Sequence, residues 1–465
     1  MYSFMRVINL VKKQNKKKPL KISKTGLEIE FFTLGETGEM VYKGPNLIKK
    51  VQKKYPSTAI IEECGKNMIE IGCYPCINTY NPAMDLIKSI EKTIKTAKKN
   101  KLRLYGFGTY PGKSKTKITE ATKSYNVKEK IFGKETFSLA TKAIGFHHHY
   151  AFPKGVFDEE KKELKLLVDS KLKRSLINSY NFEIAIDPIL TLLTQSSPFF
   201  EGKLLAKDSR MLIYRGGKKL NYKGVYNKYQ QVGGLPPYKQ TATDLIRSLK
   251  NRQQRWGRLI KKVDPSLNID TIYPFKLDIS WNPVKINKLG TLEQRGMDMN
   301  YMSILLGVSA LIKFSLKKIQ REFIEVIPSD RGINEPFKIK KGVMFIPPHT
   351  HIREKLQKAS AYEGYKNKEL YEYTKKFYKF AKSVSPEFYY PMYKKIEDMI
   401  NKKTSVSDEI INFAKRKNLI TKKGTISEKS ANIIALHFSK KFEKDLKETK
   451  RKIRKLMLKH QKVMK

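Results

Sequence analysis

Cysteine is nearly absent. Three residues in 465 are too few for a disulfide scaffold and point to a reducing compartment. Acidic residues are scarce beside basic ones, 44 against 95, for a formal net charge of +51. No run of about 18 apolar residues of the kind that crosses a bilayer occurs. The nearest approach, Tyr301–Lys318, has its apolar stretch ended by Lys313 and reads as a buried amphipathic helix. The first residues are basic but lack the apolar run of a signal peptide. No internal repeat of fixed period is visible. These absences argue against a disulfide-rich secreted module, a membrane-spanning helix and a solenoid. A soluble, cytoplasmic protein is the expectation.

Much else is plentiful. Hydrophobic residues make up 40% of the chain, with 25 Tyr and 23 Phe, ample for a large core. A charge of +51 attracts nucleic acid, anionic lipid and small anions alike. Lysine is spread along the whole chain, however, together with abundant Ile, Asn and Tyr. That pattern suits a compositional habit better than a dedicated footprint, which would be clustered.

The chain divides into a basic leader over residues 1–20, an α+β region over 21–330 and a Lys-rich helical region over 331–465. Gly26–Gly35 alternates as a strand, with Leu27, Ile29 and Phe31 on one face and Glu28, Glu30 and Phe32 on the other. Thr58–Cys73 reads as a hairpin turning near Gly65. Asn81–Asn100 follows as a helix, with Pro82 in its first turn. A strand spans Ala143–Phe152, and helices are expected over Glu159–Ser179, Asp187–Ser196 and Thr241–Lys262. The segments FKLDISW (275–281) and Gly290–Asp298 read as strands, and Met299–Glu325 as a long apolar helix.

The strands of the α+β region carry acidic and histidine residues two apart. Alternate residues of a strand share a face, so Glu28 pairs with Glu30, His147 with His149, and Glu293 with Arg295, while His148 points the other way. Glu63 and Glu70 lie on the two arms of the hairpin, and Glu62 faces away from Glu63. A face this polar is costly against an apolar core. It suits the wall of a cleft that holds divalent cations, since Mg²⁺ takes carboxylate oxygens and Mn²⁺ also accepts imidazole. The candidate ligands outnumber what one Mg²⁺ requires, so two or three ions bridging nucleotide phosphates fit best. Taken singly, each motif favours a solvated sheet face; together, in this order, they do not.

The segments GLEIEFF, MIEIGCYPC, GFHHHYAF, LTLLTQSSPFFEG, DSRMLIYR and TLEQRGMD run in one order over Gly26–Asp298. In that order they resemble the glutamate–cysteine ligase family of carboxylate–amine ligases. The resemblance implies a glutamine-synthetase-like fold: a curved antiparallel sheet with flanking helices, to which this chain adds a helical C-terminal region. It implies ATP and two or three Mg²⁺ or Mn²⁺ ions held by Glu28, Glu30, Glu63, Glu70, His147 and Glu293. Glu30, Glu63 and Glu70 would lie nearer the substrate carboxylate, and Glu28, His147 and Glu293 nearer the phosphates. His149 resembles a phosphate contact and Arg295 the arginine that stabilises the transferring phosphoryl group. Arg210 and Arg215 resemble the arginines for the substrate carboxylate and for phosphate. The implied substrates are ATP, glutamate and an amine such as cysteine, as in glutathione biosynthesis. The Gly-rich Tyr214–Pro237 is a candidate lid.

Other signals are weaker. The Cys73–Cys76 pair opens no helix and lacks further thiolates for zinc. The second His-x-His, His349 and His351, reads as a turn. The Lys-rich C-terminus reads as docked or solvated, or as a non-specific contact for RNA or acidic lipid. The rival reading of the whole chain is a basic nucleic-acid-binding protein whose acidic sheet face is structural. On the same fold, a different acid and amine pair, or a kinase that stops at phosphoryl transfer, are further alternatives. Oligomeric state and the general base have no signal in the sequence.

Overall fold

The structure, a computed structural model, describes residues 24–120, 123–165 and 169–463. The basic leader expected over residues 1–20 lies outside them. At its centre is an antiparallel sheet of seven strands: β1 (Thr25–Leu34), β2 (Ile60–Glu62), β3 (Met68–Gly72), β4 (Arg103–Tyr105), β5 (Gly145–Ala151), β6 (Val284–Asn287) and β7 (Thr291–Asp298). The order is β6-β7-β5-β1-β3-β2, and β4 pairs with the far end of β1 beyond β5. The register sets Glu28 opposite His147 and Gly72, Glu30 opposite Glu70, and Glu293 opposite both His149 and Lys285. The period-2 alternation of β1 thus carries across its neighbours.

One face of the sheet is apolar. Leu27, Ile29, Phe31, Ile69, Ile71 and Phe146 are buried there. Against it pack α1 (Gly44–Lys54), α2 (Tyr80–Lys99), α4 (Lys171–Thr194) and α7 (Met302–Glu322). The C-terminal helices α8 (Lys368–Ser383), α9 (Tyr390–Lys402), α10 (Val406–Arg416) and α11 (Glu428–Val463) belong to the same core. Phe442 of α11, for example, meets Phe31 edge-on at 5.3 Å. The region beyond residue 330 is therefore continuous in packing with the sheet. A small sheet straddles residue 330, with Glu325–Pro328 running parallel to Val343–Ile346, so strands persist to residue 346.

A second hydrophobic cluster covers part of the opposite face. It joins Cys64, Val127 of α3 (Lys123–Phe132), Tyr214 of α5 (Ser209–Tyr214), Tyr226, Trp256 of α6 (Ala242–Val263) and Trp281. This roof includes the Gly-rich segment expected as a lid. The segment is clamped by backbone bonds from Val225 to Ile213 and from Tyr226 to Tyr214. Gly233 lies so close to the Tyr226 ring that a Cβ would sit 1.9 Å from it.

Three expected elements differ. Residues 171–194 form one helix with Pro188 inside it. Proline removes one backbone bond there, but the helix continues because almost every residue on it is buried. Glu159–Lys165 is not helical: Phe157–Asp158 and Glu163–Leu164 form a two-residue-strand hairpin. FKLDISW contains a 3₁₀ turn at Lys276–Asp278. Its alternating Leu277, Ile279 and Trp281 are buried, but outside the main sheet.

Candidate active site

Strand alternation sends Glu28 and Glu30 of β1, Glu70 of β3, His147 and His149 of β5 and Glu293 of β7 to the face beneath the roof. Glu63, one residue past β2, joins them, while Glu62 turns away and accepts a hydrogen bond from Thr119. Three overlapping sets each converge to within 4.8 Å: Glu30–Glu63–Glu70, Glu28–Glu70–His147 and Glu28–His149–Glu293. The first is the set expected nearer the substrate. The others redistribute the expectation. His147 lies among four carboxylates, with ring nitrogens 3.2 Å from Glu28, 3.4 Å from Glu30 and 3.9 Å from both Glu70 and Glu293. His149, expected as a phosphate contact, joins Glu28 and Glu293 as a third donor. Its Nδ1 is 2.9 Å from the Thr291 hydroxyl, which fixes the ring and leaves Nε2 facing Glu28 at 3.2 Å.

The electrostatics are those of a site built for added positive charge. Glu30 and Glu70 are paired across the strands, an arrangement that is destabilising for like charges. Burial, and then the Glu63 charge, pushes the Glu30 carboxyl up to about 8. Burial with Glu28, Glu63 and Glu30 raises Glu70 as well. Burial also opposes the charge on Glu28, but His149 and His147 outweigh it and hold Glu28 well below the usual range. Lys285, Arg295 and the two histidines similarly overcome burial at Glu293 and bring it to about 2. Burial and Arg295 push His147 down to about 4. Among the described residues, no Lys or Arg lies within 4.0 Å of a carboxylate oxygen of Glu28, Glu30, Glu63 or Glu70. This holds in a chain with 95 basic residues. Carboxylate oxygens and imidazole nitrogens in overlapping sets of three suit Mg²⁺ or Mn²⁺.

Cations gather at one end. Arg295 lies 3.3 Å from Glu293, and Lys285, which sequence reasoning missed, lies 3.7 Å from it. The β6–β7 hairpin register would have revealed Lys285. Arg210 is 2% exposed and donates to the Arg295 carbonyl at 3.2 Å. It approaches β5 where only glycine fits, since a Cβ at Gly145 would sit 2.1 Å from its Nη2. Asp208 caps α5 by accepting the Met211 N–H at 2.8 Å and so fixes the helix that carries Arg210. Lys128 of α3 lies near this end too. Burial, then Arg295 and Lys285, lowers its ammonium to about 8.

Arg215 behaves differently from the expectation. It is 1% exposed, and Asp187 of α4 holds both its terminal nitrogens, at 2.5 and 2.8 Å. Its charge is already neutralised, so it braces β7 rather than offering an anion contact. The bracing is tight: a Cβ at Gly296 would meet Arg215 at 2.4 Å and Asp187 at 2.7 Å. Gly296 and Arg295 form a bulge in β7, because Gln294 faces His148 while Met297 already faces Phe146. The SSPFFEG and DSR segments find their reason here. Asp298 accepts from the Ser196 N–H at 2.9 Å and from the Ser197 hydroxyl at 2.7 Å, and Ser197 Oγ accepts the Arg210 N–H at 3.2 Å.

No protein-family model and no curated protein matches this chain. Solved structures do. One is a bifunctional glutathione synthetase from Pasteurella multocida, 11% identical, with a TM-score of 0.56 over 90% of this chain. This chain spans about half of that protein, 52% of its length. Another is a glutamate–cysteine ligase from Francisella tularensis in complex with AMP, 11% identical, with a TM-score of 0.55. It covers 95% of this chain and 94% of its own. The chain shares the α+β fold of these structures, built on an antiparallel sheet. Among the described residues no helix is long and apolar enough to cross a membrane.

Proposed function

We propose that this protein is an ATP-dependent carboxylate–amine ligase. The acid is glutamate by resemblance, and the amine is of the kind represented by cysteine. One observation carries the reading: four buried or half-buried carboxylates with, among the described residues, no lysine or arginine in ion-pair distance, on the fold of two ligases. Stranded charges of this kind call for cations that the chain does not supply. Glu28, Glu30, Glu63, Glu70, His147, His149 and Glu293 would hold two or three Mg²⁺ or Mn²⁺ ions. When bound, the ions neutralise phosphate charge.

A carboxylate is a poor electrophile, so the reaction begins by moving the γ-phosphoryl of ATP onto it. That transfer is mostly positioning and charge neutralisation. Arg295, beside Glu293, is placed to stabilise the phosphoryl oxygens. Arg210, a buried guanidinium with no carboxylate in ion-pair distance among the described residues, would take the carboxylate of the acid. The amine then attacks the acyl carbon, its nitrogen losing a proton, and phosphate leaves. The roof of Tyr214, Tyr226 and α3 keeps water from the acyl phosphate.

The test is an ADP-release assay with Mg²⁺-ATP across a panel of acids and amines. The expected result is release that requires both an acid and an amine. Full activity in the Glu28→Gln, Glu293→Gln double variant would overturn the site. The rival is a nucleic-acid-binding protein, motivated by the +51 charge; it would show salt-sensitive DNA or RNA binding and no turnover.

A further inference from the structure

We propose that Trp281 is a positioning residue for Arg210 and Arg295, and through Arg210 for the carboxylate of the acid substrate. The inference rests on the ligase reading above. The chain has two tryptophans. Trp256 lies inside the roof against Phe132 and Tyr229. Trp281 instead lies at the cationic end of the site. Its ring is nearly parallel to Tyr214, with centroids 4.4 Å apart and planes 6° off, and Tyr226 extends the stack at 5.8 Å and 21°. The Arg210 guanidinium carbon is 5.2 Å from the Tyr214 centroid and 5.7 Å from that of Trp281. Arg295 is 5.6 Å from the same indole. One ring therefore touches guanidinium groups from two separate elements, α5 and β7.

The chemistry of this support matters. Two guanidinium groups brought together repel, and something negative must hold them. A carboxylate would do so, as Asp187 does for Arg215 and Glu293 does for Arg295, but at Arg210 it would also occupy the N–H groups that a substrate carboxylate needs. The face of an aromatic ring attracts a cation without carrying a formal charge. It fixes the plane of the guanidinium and leaves its edge free for a carboxylate. Among the described residues, Arg210 has no acidic side chain in ion-pair distance, so the ring faces and one backbone carbonyl set its place.

The backbone that carries the indole is anchored. The Trp281 main-chain N–H donates to the Val232 carbonyl at 2.7 Å, and Asn282 donates from its main chain to Val232 at 3.0 Å and from its side chain to the Gly234 carbonyl at 2.6 Å. The next residue, Pro283, accepts the Arg295 N–H at 2.8 Å. The Gly-rich roof segment, the backbone bearing Trp281 and the bulge of β7 are thus tied together.

Trp281→Leu, Trp281→Phe and wild type are compared in the ADP-release assay. Trp281→Leu is expected to raise the KM for the acid on the order of tenfold while the KM for ATP stays within about twofold. Trp281→Phe keeps a ring face and is expected to restore most of the acid KM. The difference in emission between wild type and Trp281→Phe isolates the Trp281 fluorescence, which is expected to change when the acid is added with Mg²⁺-ATP. An unchanged acid KM in Trp281→Leu overturns the inference. So does a parallel rise of both KM values with no rescue in Trp281→Phe, or a Trp281 emission indifferent to the acid. Wild-type protein that releases no ADP with any acid would instead overturn the ligase reading, and this inference with it.

Discussion

On one face of the main sheet Leu27, Ile29 and Phe31 meet the apolar sides of four helices. On the other, Glu28, Glu30, Glu70, His147, His149 and Glu293 meet one another. Both faces are hidden from solvent: Ile29 is 0% exposed and Glu30 only 4%. Burial therefore does not tell core from site here. The difference is one of balance. The apolar face gains free energy by removing hydrocarbon from water. The acidic face gives stability up, because its carboxylates are desolvated and adjacent with little to neutralise them. The three consecutive histidines of β5 make the contrast within one tripeptide. His147 and His149 face carboxylates. His148 points to the core, 0% exposed, with neither ring nitrogen hydrogen-bonded, and burial pushes it down to about 3.

Several measurements would break or sharpen that contrast. The largest effect is expected on the acidic face: Glu28→Gln with Glu293→Gln, or His147→Ala, should lower acid-dependent ADP release on the order of a thousandfold with unchanged circular dichroism. Arg295→Lys, which keeps the charge but loses the planar fork, should cost on the order of a hundredfold in kcat in the same assay. On the apolar face the signs reverse. Ile29→Ala should leave kcat intact at low temperature but cost about 2–4 kcal/mol in urea unfolding.

The metal-free protein carries a pH signature. Glu30 is raised to about 8 from an ordinary 4.5, and Glu70 is raised too. Between these values the unfolded chain has lost protons that the folded chain keeps. Stability should therefore fall as pH rises from about 4.5 to about 8. Without metal, Tm measured with EDTA should be lower at pH 8 than at pH 6. Added Mg²⁺ should raise Tm more at pH 8. A Tm that rises with pH without metal would show that these carboxylates are already neutralised. The smallest effect is expected from His148→Phe. Replacing an unpartnered buried ring by an apolar one of similar shape should leave activity unchanged and stability equal or higher, by up to about 2 kcal/mol.

Much of this geometry was legible in the sequence because a period of two is hard to mistake. The alternation of β1, the hairpin that separates Glu62 from Glu63, and the shared face of His147 and His149 all follow from it. Residues fixed by long-range packing were not legible. Asp187 lies on a helix where nothing marks it as the partner that neutralises Arg215. Trp281 sits in an irregular segment with no spacing to give it away. FKLDISW alternates like a strand, yet its apolar residues fill a roof instead of joining the sheet. The helices expected over Glu159–Ser179 and Asp187–Ser196 are one, Lys171–Thr194, because burial carries it through the gap between them and past Pro188.

The bulge at Arg295–Gly296 has a consequence for how β7 is parsed. Upstream of it, odd-numbered residues face the carboxylates and even-numbered residues face the helices. Downstream the parity is exchanged, so that Met297 enters the core beside Phe146 and Asp298 reaches Ser196 and Ser197. One extra residue thus acts as a frame shift within a strand, and with this sequence both halves keep their faces because it is left out of the regular ladder. Drawing Gly296 into the ladder would turn Met297 to the acidic face and Asp298 away from its serines. A slip of one residue would in that way disturb the site and the core together, where each substitution above touches only one of them.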